Sequence, residues 1–156
     1  MKLKHLIVII AISASAFTGI LQAAAQGGGE INWAKSGNSY YDITDAGIIA
    51  MTLPKNERKV IVPASLINKA GLRADGITSF QLSEDGKKAL LFTNSKKVWR
   101  YETRGDYYVA DLSTQTITKI GRDKPASSLM FAKFSPDATK VAYVSKHNLY
   151  VEDLPT

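Results

Sequence analysis

Few residues in this chain have the chemistry to act on a ligand, and the one that stands out is Arg100, set between Trp99 and Tyr101. A guanidinium is always charged, and its planar fork donates hydrogen bonds from a fixed direction. Held between two packed aromatics, it can bind a carbonyl or a carboxylate. If the segment is an extended strand, Trp99 and Tyr101 point to one side and Arg100 to the other. On spacing alone a second reading stands beside this one: a surface hairpin whose arginine pairs loosely with Glu102 or Asp106. Other reactive types are scarce. The chain has no cysteine, which excludes disulfide scaffolds, thiolate metal sites and cysteine nucleophiles. Two histidines, His5 and His147, are too few for most histidine-based catalysis or metal binding. Gly37-Asn38-Ser39-Tyr40-Tyr41 comes nearest to a Gly-x-Ser-x-Gly nucleophile elbow but lacks the last glycine, so Ser39 reads as a turn residue. His147 sits in Lys146-His147-Asn148 and reads as an exposed turn histidine. No catalytic triad can be assembled from these residues, and no cofactor or metal is implied.

The elements that must position Arg100 are strands and turns. Tyr40-Tyr41-Asp42-Ile43-Thr44, Gly47-Ile48-Ile49-Ala50-Met51-Thr52 and Lys59-Val60-Ile61-Val62 are short β-type runs. Further runs lie at 88–92, 107–112, 116–120, 141–144 and 148–151. Ser36-Gly37-Asn38, Glu84-Asp85-Gly86, Arg104-Gly105-Asp106 and Ser135-Pro136-Asp137 are turn signals between them. Only 64–70, ended by Gly71, suits a helical turn. The fold class is therefore all-β.

An internal repeat refines the class. The stretch 80–90 recurs as 131–141, with Ser83 and Ser135 in register 52 positions apart. Each copy is an apolar strand, a Ser-x-Asp turn and a second apolar strand. Each then leads to an aromatic strand ending in Asp-Leu, at Asp111-Leu112 and Asp153-Leu154. Residues 33–62 form an earlier, more degenerate copy. Repeats of ~40–50 residues that each build a small antiparallel sheet mark β-propeller blades; a β-sandwich of hairpins is the alternative. A propeller ring needs about four to eight blades. This chain supplies roughly two and the opening strands of a third, an incomplete β-propeller. An open arc leaves a blade face and a sheet edge uncovered. The expectation is a truncated piece of a longer protein, with ring completion by assembly as the alternative. The first copy also carries about ten extra residues between Phe92 and Tyr107, and they include Arg100. A hairpin lengthened in this way is a place where function can be grafted onto a blade.

The start of the chain reads as an address. Met1-Lys2-Leu3-Lys4 is basic, 6–21 is largely apolar, and Ala23-Ala24-Ala25 offers small residues for cleavage before Gln26. That is a secretory signal peptide over 1–25, followed by a flexible leader over 26–32 and the partial propeller over 33–156. A transmembrane anchor needs ~20 apolar residues; here Ser13, Ser15, Thr18 and Gly19 break the run, so no stable membrane span is expected. The chain of 156 residues carries a net charge of +6, which falls to +4 when Lys2 and Lys4 are removed. Its basic residues are dispersed and an exported chain does not normally meet nucleic acid, so no nucleic-acid partner is expected. Hydrophobic residues at 45% and charged residues at 22% are ordinary for a globular chain and exclude a disordered or fibrous one, and the presence of only one long apolar run excludes a multi-span protein.

Lys97-Val98-Trp99-Arg100, followed by Asp106-Tyr107-Tyr108-Val109-Ala110-Asp111-Leu112, resembles the propeller domain of the dipeptidyl peptidase IV family of serine peptidases. The stretches 134–144, 148–151, 60–65 and 80–86 continue the resemblance, which covers most of the chain from about Trp33 onward. The Ser-x-Asp turn is shared by many propellers; the Trp-Arg hairpin is more specific. The resemblance implies an N-terminal eight-bladed propeller that caps a C-terminal α/β-hydrolase domain. It implies release of N-terminal dipeptides with Pro or Ala in second place. It implies that Arg100 binds the backbone carbonyl of the penultimate residue of a peptide substrate, with Trp99 and Tyr101 as structural support. It leaves open a homodimer of the longer parent. The family's Glu-Glu motif, which holds the substrate's amino group, does not occur in this sequence, and neither does the hydrolase domain. The chain alone is therefore expected to be inactive and, if exported, periplasmic or secreted. A non-catalytic exported propeller that binds a protein or glycan is the other reading.

Overall fold

The computed structural model describes residues 31–155. The expected signal peptide and residues 26–30 of the expected leader lie outside the described residues. Strands β1 (Asn32–Trp33), β2 (Ser39–Thr44), β3 (Gly47–Thr52) and β4 (Glu57–Pro63) form a first antiparallel sheet in sequence order. Helix α1 (Ala64–Asn68) and a 3₁₀ turn (Ala74–Gly76) lead to a second sheet. It contains β5 (Ile77–Leu82), β6 (Lys88–Val98), β7 (Tyr101–Asp111) and β8 (Thr116–Lys119), again in order. A third sheet holds β9 (Met130–Phe134), β10 (Lys140–Ser145) and β11 (Asn148–Asp153). These three meanders are the blades of an incomplete all-β propeller. The short helix falls inside the stretch the sequence allowed, and Gly71 closes it at φ 70° by donating its N–H to the Asn68 carbonyl at 2.9 Å.

The middle sheet is apolar on both faces because it is packed on both faces. Ala89, Leu91 and Ala110 meet Ile48, Val62, Leu66 and Ile67 in one core. Leu90, Phe92, Tyr107 and Val109 meet Ile120, Leu129, Val141 and Tyr143 in the other. Side chains alternate along a strand, so a strand read by two cores must be continuously apolar. That accounts for the run Ala89-Leu90-Leu91-Phe92. Each fully buried leucine there contributes roughly 1.5–3 kcal/mol relative to exposure.

The repeated turns are built alike. Ser83 Oγ donates to Asp85 Oδ1 at 2.7 Å and accepts from the Lys88 N–H at 2.9 Å. Ser135 Oγ donates to Asp137 Oδ1 at 2.6 Å and accepts from the Lys140 N–H at 3.0 Å. Each aspartate also caps a backbone amide, from Lys87 at 3.0 Å and from Thr139 at 3.1 Å. Hydrogen bonds to the charged form favour it. The Ser135 hydroxyl is the main cause that holds the Asp137 carboxyl down at about 2, followed by the Thr139 donors. The Asp-Leu ends match too: the Leu112 N–H donates to Lys87 O and the Leu154 N–H to Thr139 O, both at 2.8 Å.

Among the described residues, the third sheet is covered on one face only. Val141, Tyr143 and Ser145 are buried, the first two against the second sheet. Their opposite face pairs Ala142 with Val151 and Val144 with Leu149, and Leu149 is 71% and Val151 62% exposed. This is the uncovered blade face expected of an open arc.

Candidate functional site

β6 and β7 are each 11 residues long, against 6 for β5 and 4 for β8. The pairing of β5 with β6 stops at Thr93 and that of β7 with β8 begins at Tyr108. Beyond those points the two long strands pair with each other and, among the described residues, make one further backbone bridge, from Gly105 to Leu129, so they leave the sheet as an arm. Two bulges shape it. One extra residue on β6 falls between the pairs Thr93↔Asp106 and Lys96↔Arg104, and one extra on β7 between Lys96↔Arg104 and Lys97↔Glu102. They cancel in register while adding local twist. The last pair is Val98↔Tyr101, which leaves Trp99 and Arg100 as a two-residue turn.

This differs from the extended strand expected around Arg100. Trp99 sits at φ 63°, in the left-handed region, while Arg100 does not. A positive φ at the first central residue alone is the pattern of a type II′ hairpin turn, where glycine is the usual occupant. A bulky residue there costs roughly 1–2 kcal/mol. Trp99 and Tyr101 therefore do not clamp the arginine by strand alternation: Trp99 is 97% and Tyr101 73% exposed. Arg100 is exposed at the arm's tip, and no hydrogen bond or ion pair engages it among the described residues. Lys96, Lys97 and Arg104 share the arm, and Lys96 lies directly opposite Arg104, a cross-strand pair of like charges.

The loose partnership of Arg100 with Asp106 is also absent, because Asp106 is occupied at the arm's root. Its buried carboxylate accepts from Asn94 Nδ2 at 2.7 Å, from the Ser127 N–H at 3.1 Å and from Lys119 Nζ at 3.2 Å. Ser127 Oγ in turn donates to the Asn94 carbonyl at 2.8 Å. Burial alone pushes the Asp106 carboxyl up, but the Asn94, Ser127 and Lys119 donors together outweigh it and hold it below the usual carboxylate range. Beside it, Gly105 and Leu129 exchange N–H···O bonds at 3.0 and 3.1 Å. On the other strand Thr93 Oγ1 donates to the Gly76 carbonyl at 2.7 Å. The arm thus rests on β8 and on the connections before and after the second sheet. Reading the sequence for reactive types missed this cluster; its only trace is that Asn94 and Asp106 sit at the two ends of the inserted stretch.

The remaining candidates are not gathered with Arg100. Ser39 opens β2 in the first sheet, and His147 lies exposed in the β10–β11 turn at φ 69°. A groove of about 540 Å³ between the first two sheets is lined by Trp33, Tyr41, Phe80, Lys35 and Glu84, and it also reaches the Ser83–Gly86 turn at the end of the second sheet away from the arm. Among the described residues, no three His, Asp or Glu side chains come together to hold a metal ion. No helix among them is long and apolar enough to cross a membrane.

Comparison with known proteins agrees with this fold. Residues 83–156 match the family model "Dipeptidyl peptidase IV (DPP IV) N-terminal region". A probable dipeptidyl-aminopeptidase B of Aspergillus oryzae is 34% identical over 93 residues, which are 57% of this chain and 10% of the relative. The dipeptidyl aminopeptidase B of Saccharomyces cerevisiae is 34% identical over 84 residues, 54% of this chain and 9% of the relative. The match thus spans about a tenth of these relatives' length. The solved structure of Porphyromonas gingivalis dipeptidyl peptidase 4 superposes on 79% of this chain and 17% of that one, with a TM-score of 0.68 at 19% identity, and it supports the propeller fold. Taken with the three antiparallel sheets, these matches support a propeller region similar to the N-terminal region of dipeptidyl peptidase IV.

Proposed function

We propose that this chain is the N-terminal propeller portion of an exported, serine-type dipeptidyl exopeptidase, and that it gates entry and orients the peptide through Arg100. The observation that carries this reading is the arm: a hairpin that leaves its blade, with an exposed guanidinium at its tip. A charge-assisted hydrogen bond from such a group to a peptide carbonyl contributes about 1.5–3 kcal/mol. The sequence contains neither a Glu-Glu pair to receive a free amino terminus nor a nucleophile elbow, so the reaction belongs to a longer gene product.

The test has two parts. The purified 156-residue chain should not cleave a dipeptidyl-Pro chromogenic substrate; turnover abolished by a serine-directed inhibitor would refute the division of labour. Reading the gene past codon 156 should reveal Glu-Glu and then Gly-x-Ser-x-Gly in frame. A stop codon there, with homologues of the same length, would instead favour a non-catalytic binding module.

A further inference from the structure

The arm has a lever problem, and the buried cluster at its root addresses it. Arg100 lies six residues beyond Asn94, and at ~3.4 Å per residue the tip stands roughly 17–20 Å from the root. A tilt of about 10° at the root moves the guanidinium by about 3 Å, the whole length of a hydrogen bond. Binding a carbonyl from a set direction therefore requires that the root be fixed. Main-chain pairing alone does this poorly, because the arm runs past the β5 and β8 ladders, keeps one backbone bridge to Leu129 at its root and contains two bulges.

We infer that Asp106 is the positioning residue of the arm: its buried carboxylate ties β6, β7, β8 and the 120–129 connection into one joint that aims Arg100. The geometry supports this role in three ways. Asp106 and Asn94 lie on opposite strands at the point where the arm departs, and they are hydrogen bonded at 2.7 Å. The other carboxylate oxygen is held from outside the arm, by the Ser127 N–H and the Lys119 ammonium. The joint is closed in a loop, because Ser127 Oγ returns to the Asn94 carbonyl. Only an ionised carboxylate satisfies all three donors. An asparagine offers one acceptor oxygen and turns an amide N–H₂ toward another donor. The inference rests on the peptide-binding reading of Arg100, but its physical content, the aim of the arm, can be measured separately.

The reporter is already in place, since Trp99 is at the tip and Trp33 is the only other tryptophan. In a Trp33→Phe background, time-resolved fluorescence anisotropy of Trp99 reads motion of the arm. Asp106→Asn should lower the residual anisotropy to half or less of its starting value while the far-UV spectrum stays that of the parent. Asn94→Asp is the second variant. Its side chain is exposed, so the core survives, yet it sets a carboxylate against Asp106 and should loosen the arm equally. Unchanged anisotropy in a folded variant overturns the inference. In the longer peptidase, Asp106→Asn should reduce kcat/KM for Ala-Pro-p-nitroanilide about 10-fold or more. It should add no further loss when Arg100 is already alanine, because the two act in series. Additive losses would show that Asp106 does not act through Arg100. An Arg100→Ala variant with full activity would refute the peptide reading itself, leaving Asp106 as a structural clamp with no part in recognition.

Discussion

Replacing Gly105 by alanine is the sharpest perturbation of the arm's root. The position does not need glycine for its backbone angle, since it is not among the positive-φ residues. It needs glycine for space. A Cβ there would lie 2.7 Å from the Thr93 carbonyl oxygen and closer still to the Phe92 ring. Neither neighbour can yield cheaply. Thr93 is paired to Asp106 and anchored to Gly76, and Phe92 is buried in ring contact with Tyr107 at 4.7 Å between centroids. Overpacking of this kind costs about 1–3 kcal/mol. Pushing the strands apart also weakens the paired bonds with Leu129, each worth about 0.5–1.5 kcal/mol. A total near 2–4 kcal/mol would lower the urea midpoint by roughly 1.3–2.7 M at an m-value of ~1.5 kcal/mol/M. The control is Gly37→Ala, where the added Cβ meets nothing within 4 Å and only the φ of 72° is strained; it should cost no more than about 1–2 kcal/mol. A Gly105→Ala midpoint within ~0.3 M of the parent, read by tryptophan fluorescence, would refute the steric account of the root.

Leu91→Ala, in the core between the first two sheets, should lower unfolding stability by about 2–5 kcal/mol, measured by denaturant titration; a loss under 1 kcal/mol would deny that this interface is closely packed. Asp85, Asp106 and Asp137 all have lowered carboxyl pKa values, Asp137 at about 2. Their stabilisation is therefore complete above the unfolded carboxylate range and is lost as pH falls through the folded values toward 2. In an NMR titration, Ser135→Ala should raise the Asp137 midpoint toward the ordinary value. Lys96→Glu removes the like-charge pair with Arg104 and should stabilise the chain by a few tenths of a kcal/mol at low salt, with the gain fading as salt is added.

Most strands were legible because each carries a continuous or alternating apolar run between turn residues; Arg104-Gly105-Asp106, read as a turn, lies instead inside β7, where the polar arm carries no such run. The Ser-x-Asp repeat exposed the blade architecture for a further reason. Ser83 and Ser135 do the same hydrogen-bonding work in each blade, so the residue types recur with the geometry. Arg100 was legible as a candidate through its neighbours, but its setting was not. Whether Trp99-Arg100 forms a strand or a turn depends on the register of β6 against β7, and two compensating bulges set that register, marked in the sequence only by Gly105 beside the first of them. The Asp106 joint was hidden for a different reason. Its partners Asn94, Lys119 and Ser127 come from three separate elements, and only the folded chain brings them to one carboxylate.

The most direct measurement is an experimental structure of the longer gene product with an unblocked peptide bound. The Arg100 guanidinium should lie ~2.7–3.2 Å from the carbonyl oxygen of the penultimate residue, with the arm entering the central cavity. An arm that lies on the outer rim, with Arg100 in bulk solvent and the peptide held by other groups, would contradict it.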